Sequence, residues 1–190
     1  MGYIEPVELI TKKGRRVTLR TAQPEDGEKV LQYTKQVLTE APFLVTAPEE
    51  FQVSAEEEKS FLADILDSSG RLALLAECKG RVAGFLDFHN GTRIRTRHTG
   101  NFGMSTDADF RGEGVGRGLA EELCRWAEAN PLIEKINLEV LTENKAARNL
   151  YKSIGFTTEG RQKKAVKINT AYYDMELMTR FTNEGTSRRS

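Results

Sequence analysis

The segment Phe110-Arg111-Gly112-Glu113-Gly114-Val115-Gly116-Arg117-Gly118-Leu119 sets four glycines into a short turn that opens into an amphipathic helix. Glycine has no Cβ, so such a turn can bare several backbone N–H groups towards one point. The helix start adds its own unpaired N–H groups and the positive end of its dipole. Together they form a nest for phosphate oxygens that requires neither a metal nor a broad basic patch. The chemistry expected here is the binding of a phosphorylated ligand. A Walker A loop needs Gly, four residues, then Gly-Lys-Ser/Thr, and the chain contains no such run. A dinucleotide fingerprint, Gly-x-Gly-x-x-Gly, fails in both registers. Counted from Gly112 its third glycine falls on Arg117, and counted from Gly114 it falls on Leu119.

A second constellation lies downstream. After the strand-like Lys135-Ile-Asn-Leu-Glu-Val140 comes Asn144-Lys-Ala-Ala147-Arg-Asn-Leu150-Tyr151-Lys-Ser-Ile154-Gly155-Phe156. Ala147, Leu150, Tyr151 and Ile154 recur at i, i+3, i+4 and i+7 and so share one helix face. Asn144 suits the N-cap and Gly155 the C′ position.

Arg111-x-x-Gly114-x-Gly116 resembles the coenzyme A pyrophosphate loop of the GNAT acetyltransferases, Arg/Gln-x-x-Gly-x-Gly/Ala. The downstream segment is similar to that family's later signature, Asn-x-x-Ala-x-x-Leu-Tyr-x-x-x-Gly-Phe. The ending Gly155 to Gly160 with Tyr172-Tyr173-Asp174-Met175-x-x-Met178 resembles the branch that contains ribosomal-protein N-terminal and small-amine acetyltransferases. Resemblance spans roughly Arg16 to Arg180. It implies acetyl-CoA as co-substrate, no metal, and an amine acceptor, either a small molecule or a peptide, joined to the donor in a ternary complex. By the same resemblance Arg111, Gly112, Gly114, Val115, Gly116 and Arg117 would hold the pyrophosphate. Pantetheine would fill a gap between the strand ending at about Phe102–Thr106, which includes Met104 and Thr106, and the strand Lys135–Leu141. Many relatives carry proline two residues after the position of Thr106, where this chain has Ala108. The departure bears on turn rigidity. A non-catalytic acyl-CoA-binding or regulatory module is the alternative, although such a chain would be expected to have lost the tyrosine or the loop glycines, and both are kept.

Tyr151 is expected to be the general acid, and Asn144 to anchor pantetheine or the helix start. A thiol titrates near about 8.5 and tyrosine near about 10, so the phenol stays protonated and can donate to the leaving sulfur. The acceptor, an ammonium near neutral pH, must also lose a proton before attack. Some relatives use a glutamate eight residues ahead of the position of Thr106, and that count lands on His98. Imidazole is a competent base near neutrality. Strand alternation would put His98, Gly100, Phe102, Met104 and Thr106 on one face. Asp87 and His89, ending the preceding strand, compete for the role, as does water.

The elements that must position these groups follow from pattern. Val7–Thr11 and Arg16–Arg20 read as a hairpin added at the edge of the domain. Pro24 suits a first helical turn, with Val30, Leu31, Val37 and Leu38 as its buried stripe. Residues 41–53 are either a loop pinned to the core or part of the acceptor pocket. Ser54-Ala-Glu-Glu57 is a capping box, with Phe61, Leu62 and Ile65 inward and Gly70 ending the helix. Strand-like runs at 72–77, 82–88, 98–106, 162–168 and 172–178, and a helix over 116–130, complete a mixed α/β (α+β) order. It corresponds to one GNAT domain over 1–181, with a mostly antiparallel sheet of about seven strands, helices on both faces and a flexible tail at 182–190.

The chain has 190 residues, and its 28 basic and 28 acidic residues cancel. No long-range field draws it to nucleic acid or to a membrane surface. Its two cysteines, Cys78 and Cys124, read as buried reduced thiols. The chain shows no signal-peptide pattern and no apolar run near the roughly 20 residues of a membrane span. A cytoplasmic enzyme, possibly homodimeric as family members often are, is expected.

Overall fold

Consecutive apolar residues on the central strands go to opposite sides of the sheet. Leu74 and Leu86 join one core and Leu75 and Phe85 another. That explains why these strands read as unbroken apolar runs, since both faces are covered by helices. The computed structural model describes residues 2–41 and 43–182, so most of the expected tail lies outside the described residues. Eight strands form one sheet: β1 (Val7–Ile10), β2 (Arg16–Thr21), β3 (Arg71–Cys78), β4 (Arg81–Asn90), β5 (Thr99–Thr106), β6 (Lys135–Leu141), β7 (Thr157–Ile168) and β8 (Ala171–Phe181). Their spatial order is β1-β2-β3-β4-β5-β6-β8-β7. Every neighbouring pair is antiparallel except β5–β6. The N-terminal hairpin belongs to this same sheet, which raises the expected count of about seven to eight.

Helices α1 (Gly27–Glu40) and α2 (Ala55–Leu66) cover one face, burying Val30, Val37, Leu62 and Ile65 against Leu75 and Phe85. Helices α3 (Val115–Ala129) and α4 (Lys145–Ser153) cover the other, where Leu119 and Leu123 meet Leu19, Leu72, Leu86 and Ile136. Each of these side chains stabilises the fold by roughly 1.5–3 kcal/mol when fully buried. Helix starts follow the sequence signals. Ser54 Oγ accepts from the Glu57 N–H at 3.3 Å, while the Glu57 carboxylate accepts from the Ser54 N–H at 2.8 Å. Asn144 caps α4 by accepting from the Ala147 N–H at 3.1 Å. α2 stops earlier than its glycine implied, at Leu66 with Asp67 as C-cap. Gly70 has a different job: a Cβ there would stand 2.4 Å from the Asn90 amide.

The feature that positions a site is the parallel pair. β5 and β6 pair only at Thr99↔Lys135, Gly100↔Ile136 and Asn101↔Asn137. Beyond Asn101, β5 runs on to Thr106 and β6 to Leu141 with no further pairing between them. The β6-facing backbone groups of Phe102 to Thr106 are therefore left without a strand partner, and the expected gap between these strands is present.

Candidate active site

At the open end of that gap the chain turns through Asp107–Gly114 into α3. Gly114 is the N-cap in a left-handed conformation, φ 100°, and Gly112 has φ 74°. An L side chain at either would be strained, and an added Cβ would meet nothing within 4 Å. The first α-helical hydrogen bond of α3 runs from the Gly118 N–H to the Gly114 carbonyl, 2.9 Å. The N–H groups of Val115, Gly116 and Arg117 precede it and have no acceptor within the helix. Gly116 is helical and matters for closeness instead, since a Cβ there would lie 3.2 Å from Thr106 Oγ1 and 3.4 Å from Met104 Cε.

The loop is held from behind. Buried Phe110 lies under the Arg15 guanidinium, 3.7 Å from ring centroid to Cζ, with the Arg81 guanidinium at 5.7 Å. Arg81 donates to both oxygens of buried Asp107, at 2.9 and 2.8 Å. Arg15 Nε donates to Glu113 at 3.0 Å, its Nη2 pairs with the same carboxylate, and Lys13 joins at 3.1 Å. The Lys12 N–H reaches the Glu113 carbonyl at 3.1 Å. The Arg15 guanidinium holds the Glu113 carboxyl at about 2, far below the usual carboxylate range. The hairpin read from sequence as an added edge is thus also a brace for the glycine loop. Of the two loop arginines, Arg111 donates to the Thr106 carbonyl at 3.3 Å, and Arg117 is engaged by Glu121 at 3.2 Å and Ser153 Oγ at 2.6 Å.

Across the gap, Tyr151 on α4 packs edge-on to Phe102, with ring centroids 5.7 Å apart at 82°, and against Phe156 at 5.9 Å. Only 7% of its surface is exposed, and burial pushes its phenol up to about 12. Leu150, one residue earlier, lies 3.9 Å from the point a Gly116 Cβ would occupy. Leu150, Met104, Thr106 and the loop therefore border one space, and Tyr151 joins the adjacent core through Phe102.

On the opposite face of the sheet lies a cavity of about 540 Å³ between α1, α2, the segment after α1 and strands β4 and β5. Val37, Phe51, Phe61 and Phe85 wall it, and Gly103, Met104 and Ser105 form its floor. The segment after α1, open between two readings from sequence, supplies part of this wall. Asp87 lines the cavity and accepts from or shares a proton with His89 Nε2 at 2.9 Å. His98 is elsewhere. It sits one residue before β5 begins, and its carbonyl accepts from the Glu134 and Lys135 N–H groups at 2.8 and 3.2 Å, at the closed end of the β5–β6 pair. The expected strand start at His98 is corrected to Thr99, because those two bonds turn the chain there into the parallel pairing.

Sequence reasoning did not single out Glu58, which is 7% exposed and lines the cavity. Nor did it find Tyr33 on α1, whose hydroxyl shares a hydrogen bond with Ser105 Oγ at 3.0 Å and whose titration is raised by burial. The only signal was local: a glutamate in the first turn of a helix reads as dipole compensation, and Glu58 is the member of Glu56-Glu57-Glu58 that turns inward.

The model of the acetyltransferase (GNAT) family matches residues 36–156. The chain is 30% identical over 129 residues to an L-amino acid N-acetyltransferase, AaaT, of Escherichia coli, covering 68% of this chain and 80% of that one. Its fold is similar to that of a GNAT-family acetyltransferase from Streptococcus pneumoniae, with TM-score 0.84, 29% identity, and 87% and 98% of the two chains covered. It is also similar to a phosphinothricin acetyltransferase from Sinorhizobium meliloti solved in complex with AcCoA, with TM-score 0.78, 21% identity, and 91% and 92% covered. With the glycine nest, the splayed strands and the family model agreeing along the chain, it belongs to the GNAT family, as an acetyl-CoA-dependent N-acetyltransferase.

Proposed function

We propose that the protein moves an acetyl group from acetyl-CoA directly to a primary amine, with both substrates bound at once. The observation that carries this reading is the position of Met104. It packs against the core beneath α3 and α4 and also floors the cavity on the other face. The donor gap and the acceptor cavity therefore meet at Gly103–Ser105, and no covalent relay through the protein is required. The residues present fit acetyl-CoA: a glycine nest with open space where Cβ atoms would stand, and unpaired strand edges for an extended amide chain.

The pyrophosphate falls to the N–H groups of Gly112, Gly114, Val115, Gly116 and Arg117, with Arg111 free to swing from its exposed bond to Thr106. Backbone groups of Met104 and Thr106 hold the pantetheine, and Asn144 fixes the start of α4 so that Tyr151 faces the gap. Acetyl-CoA supplies an activated acyl carbon as its thioester. As the acceptor nitrogen bonds to that carbon and the carbon–sulfur bond breaks, Tyr151 gives its proton to sulfur and recovers one from solvent. A phenol held near about 12 remains a donor at any working pH. The proton leaving the ammonium goes to Asp87, which borders the cavity and is paired with His89, in preference to His98, which does not border it.

Incubation with acetyl-CoA and a panel of amines, following free thiol, tests the reading. Acetyl-CoA binding without thiol release for any amine would leave the acyl-CoA-binding module as the better account.

A further inference from the structure

The cavity that receives the acceptor is one-sided in charge. Three carboxylates border it, Glu57, Glu58 and Asp87, and no Lys, Arg or His does so among the described residues. Their circumstances differ. Glu57 is committed to Ser54 through the capping box, with its oxygen 2.8 Å from the Ser54 N–H and 2.7 Å from the hydroxyl. Asp87 is held by His89 at 2.9 Å. Glu58 has no hydrogen-bonding partner among the described residues, and it faces the negative charge of Asp87 with 7% of the residue exposed. A buried carboxylate without a donor is costly unless a cation arrives to pair with it. The remaining wall is apolar, with Val37, Leu38, Leu44, Phe51, Phe61 and Phe85.

From this we infer that the acceptor is a small primary amine on an apolar body, lacking a carboxylate beside the amine, and that Glu58 is the residue that selects it. The inference rests on the cavity being the acceptor site. An incoming ammonium supplies the partner that Glu58 lacks, and the apolar body replaces water along the phenylalanines. The carboxylate of a free α-amino acid would sit close to the same two acids, with no Lys, Arg or His in the lining among the described residues and with His89 already paired to Asp87. Like charges brought together in a poorly hydrated site oppose binding strongly, so discrimination comes from repulsion as much as from attraction. A neutral amide at the same carbon removes the repulsion while keeping the shape. This departs from the amino acid acceptor named for the Escherichia coli relative.

Matched acceptors test it on the unmodified enzyme. Phenylalanine, phenylalaninamide and phenethylamine, and leucine with leucinamide and isoamylamine, are compared by thiol release from acetyl-CoA. Expected is a kcat/KM for the amide and the plain amine at least tenfold above that of the amino acid in both series. Glu58→Gln should narrow that gap at least threefold, with acetyl-CoA affinity unchanged in calorimetry as proof that the variant is folded. Free amino acids used as well as their amides would overturn the inference while leaving the enzyme an N-acetyltransferase. An undiminished gap in the folded variant would remove Glu58 from selection. Turnover of none of the six, with acetyl-CoA bound, would overturn the inference and count against the acceptor-site reading beneath it.

Discussion

Gly114→Ala separates ligand binding from folding because its structural cost can be matched elsewhere in the molecule. Gly114 sits at φ 100° with nothing within 4 Å of an added Cβ, so the methyl group meets no protein atom and the penalty lies in the backbone alone. Holding an L residue in the left-handed region costs roughly 1–2 kcal/mol. For a chain of this size that is about 2–8 °C in Tm, at roughly 2–4 °C per kcal/mol. Gly80, in the turn between β3 and β4, has φ 80° and equally open space at its Cβ position, so Gly80→Ala should lose a similar amount. The two should part on acetyl-CoA. If the pyrophosphate lies on the N–H groups that begin α3, a methyl group at Gly114 should crowd a phosphate oxygen held by one of them. One charge-assisted hydrogen bond is worth about 1.5–3 kcal/mol, or about tenfold to a hundredfold in Kd. Calorimetric titration with acetyl-CoA, alongside thermal unfolding of both variants, gives the comparison. An unchanged Kd for Gly114→Ala, or an equal loss for Gly80→Ala, would refute the assignment of the loop to the pyrophosphate.

Tyr151→Phe should lower kcat by about 10²-fold or more while acetyl-CoA affinity holds, and a fully active variant would return Tyr151 to the hydrophobic core. Asp87→Asn should abolish the acidic limb of kcat/KM and His98→Gln should leave it in place, as read from pH–rate profiles. The reverse pattern would restore His98 as the base. Glu113→Gln tests the brace and has a definite sign in pH. The folded carboxyl titrates at about 2, below its ordinary 4.5, so its stabilisation is present above about pH 4.5 and disappears as pH falls towards 2. The Tm difference between wild type and Glu113→Gln should therefore be largest near neutrality and shrink below pH 4. If the brace holds the loop for binding, the variant should also raise KM for acetyl-CoA with little change in kcat.

The loop and helix starts of the proposed donor side were legible in the sequence because they are built from backbone. Positive φ at Gly112 and Gly114, a helix start, a cap at Asn144 and a stop at Gly155 each demand a particular residue type at a particular position, and spacing along one stretch of chain records them. The central strands were legible as unbroken apolar runs, but the division of β3 and β4 residues between two cores appears only in the fold. What spacing did not record was pairing across distance. Arg15 and Glu113 are 98 residues apart, and neither has a local signature that names the other. The one-residue shift of β5 to Thr99 had the same origin, since bonds from Glu134 and Lys135 to the His98 carbonyl set that boundary.

The acceptor side was closed to the sequence for a further physical reason. Its walls come from α1, the following loop, α2, β4 and β5, each giving two to five residues whose types are ordinary for their own element. Glu58 looks like any acid in a helical first turn, where it would favour the dipole from solvent. Only packing shows that α2 turns it inwards, while Glu57 beside it is taken by the cap. Gly103 is as unassuming in sequence, yet it pairs with Asp87 across β4–β5 and an added Cβ there would stand 3.4 Å from the Asp87 carboxylate. A bare backbone at that point leaves the acid beside the cavity next to Met104, where the two substrates meet in the proposed reaction. In the proposed reaction, donor recognition is carried by a contiguous loop and acceptor recognition by side chains on separate elements. Substitutions at the cavity wall can change the amine accepted while the glycine nest, and with it the use of acetyl-CoA, stays fixed.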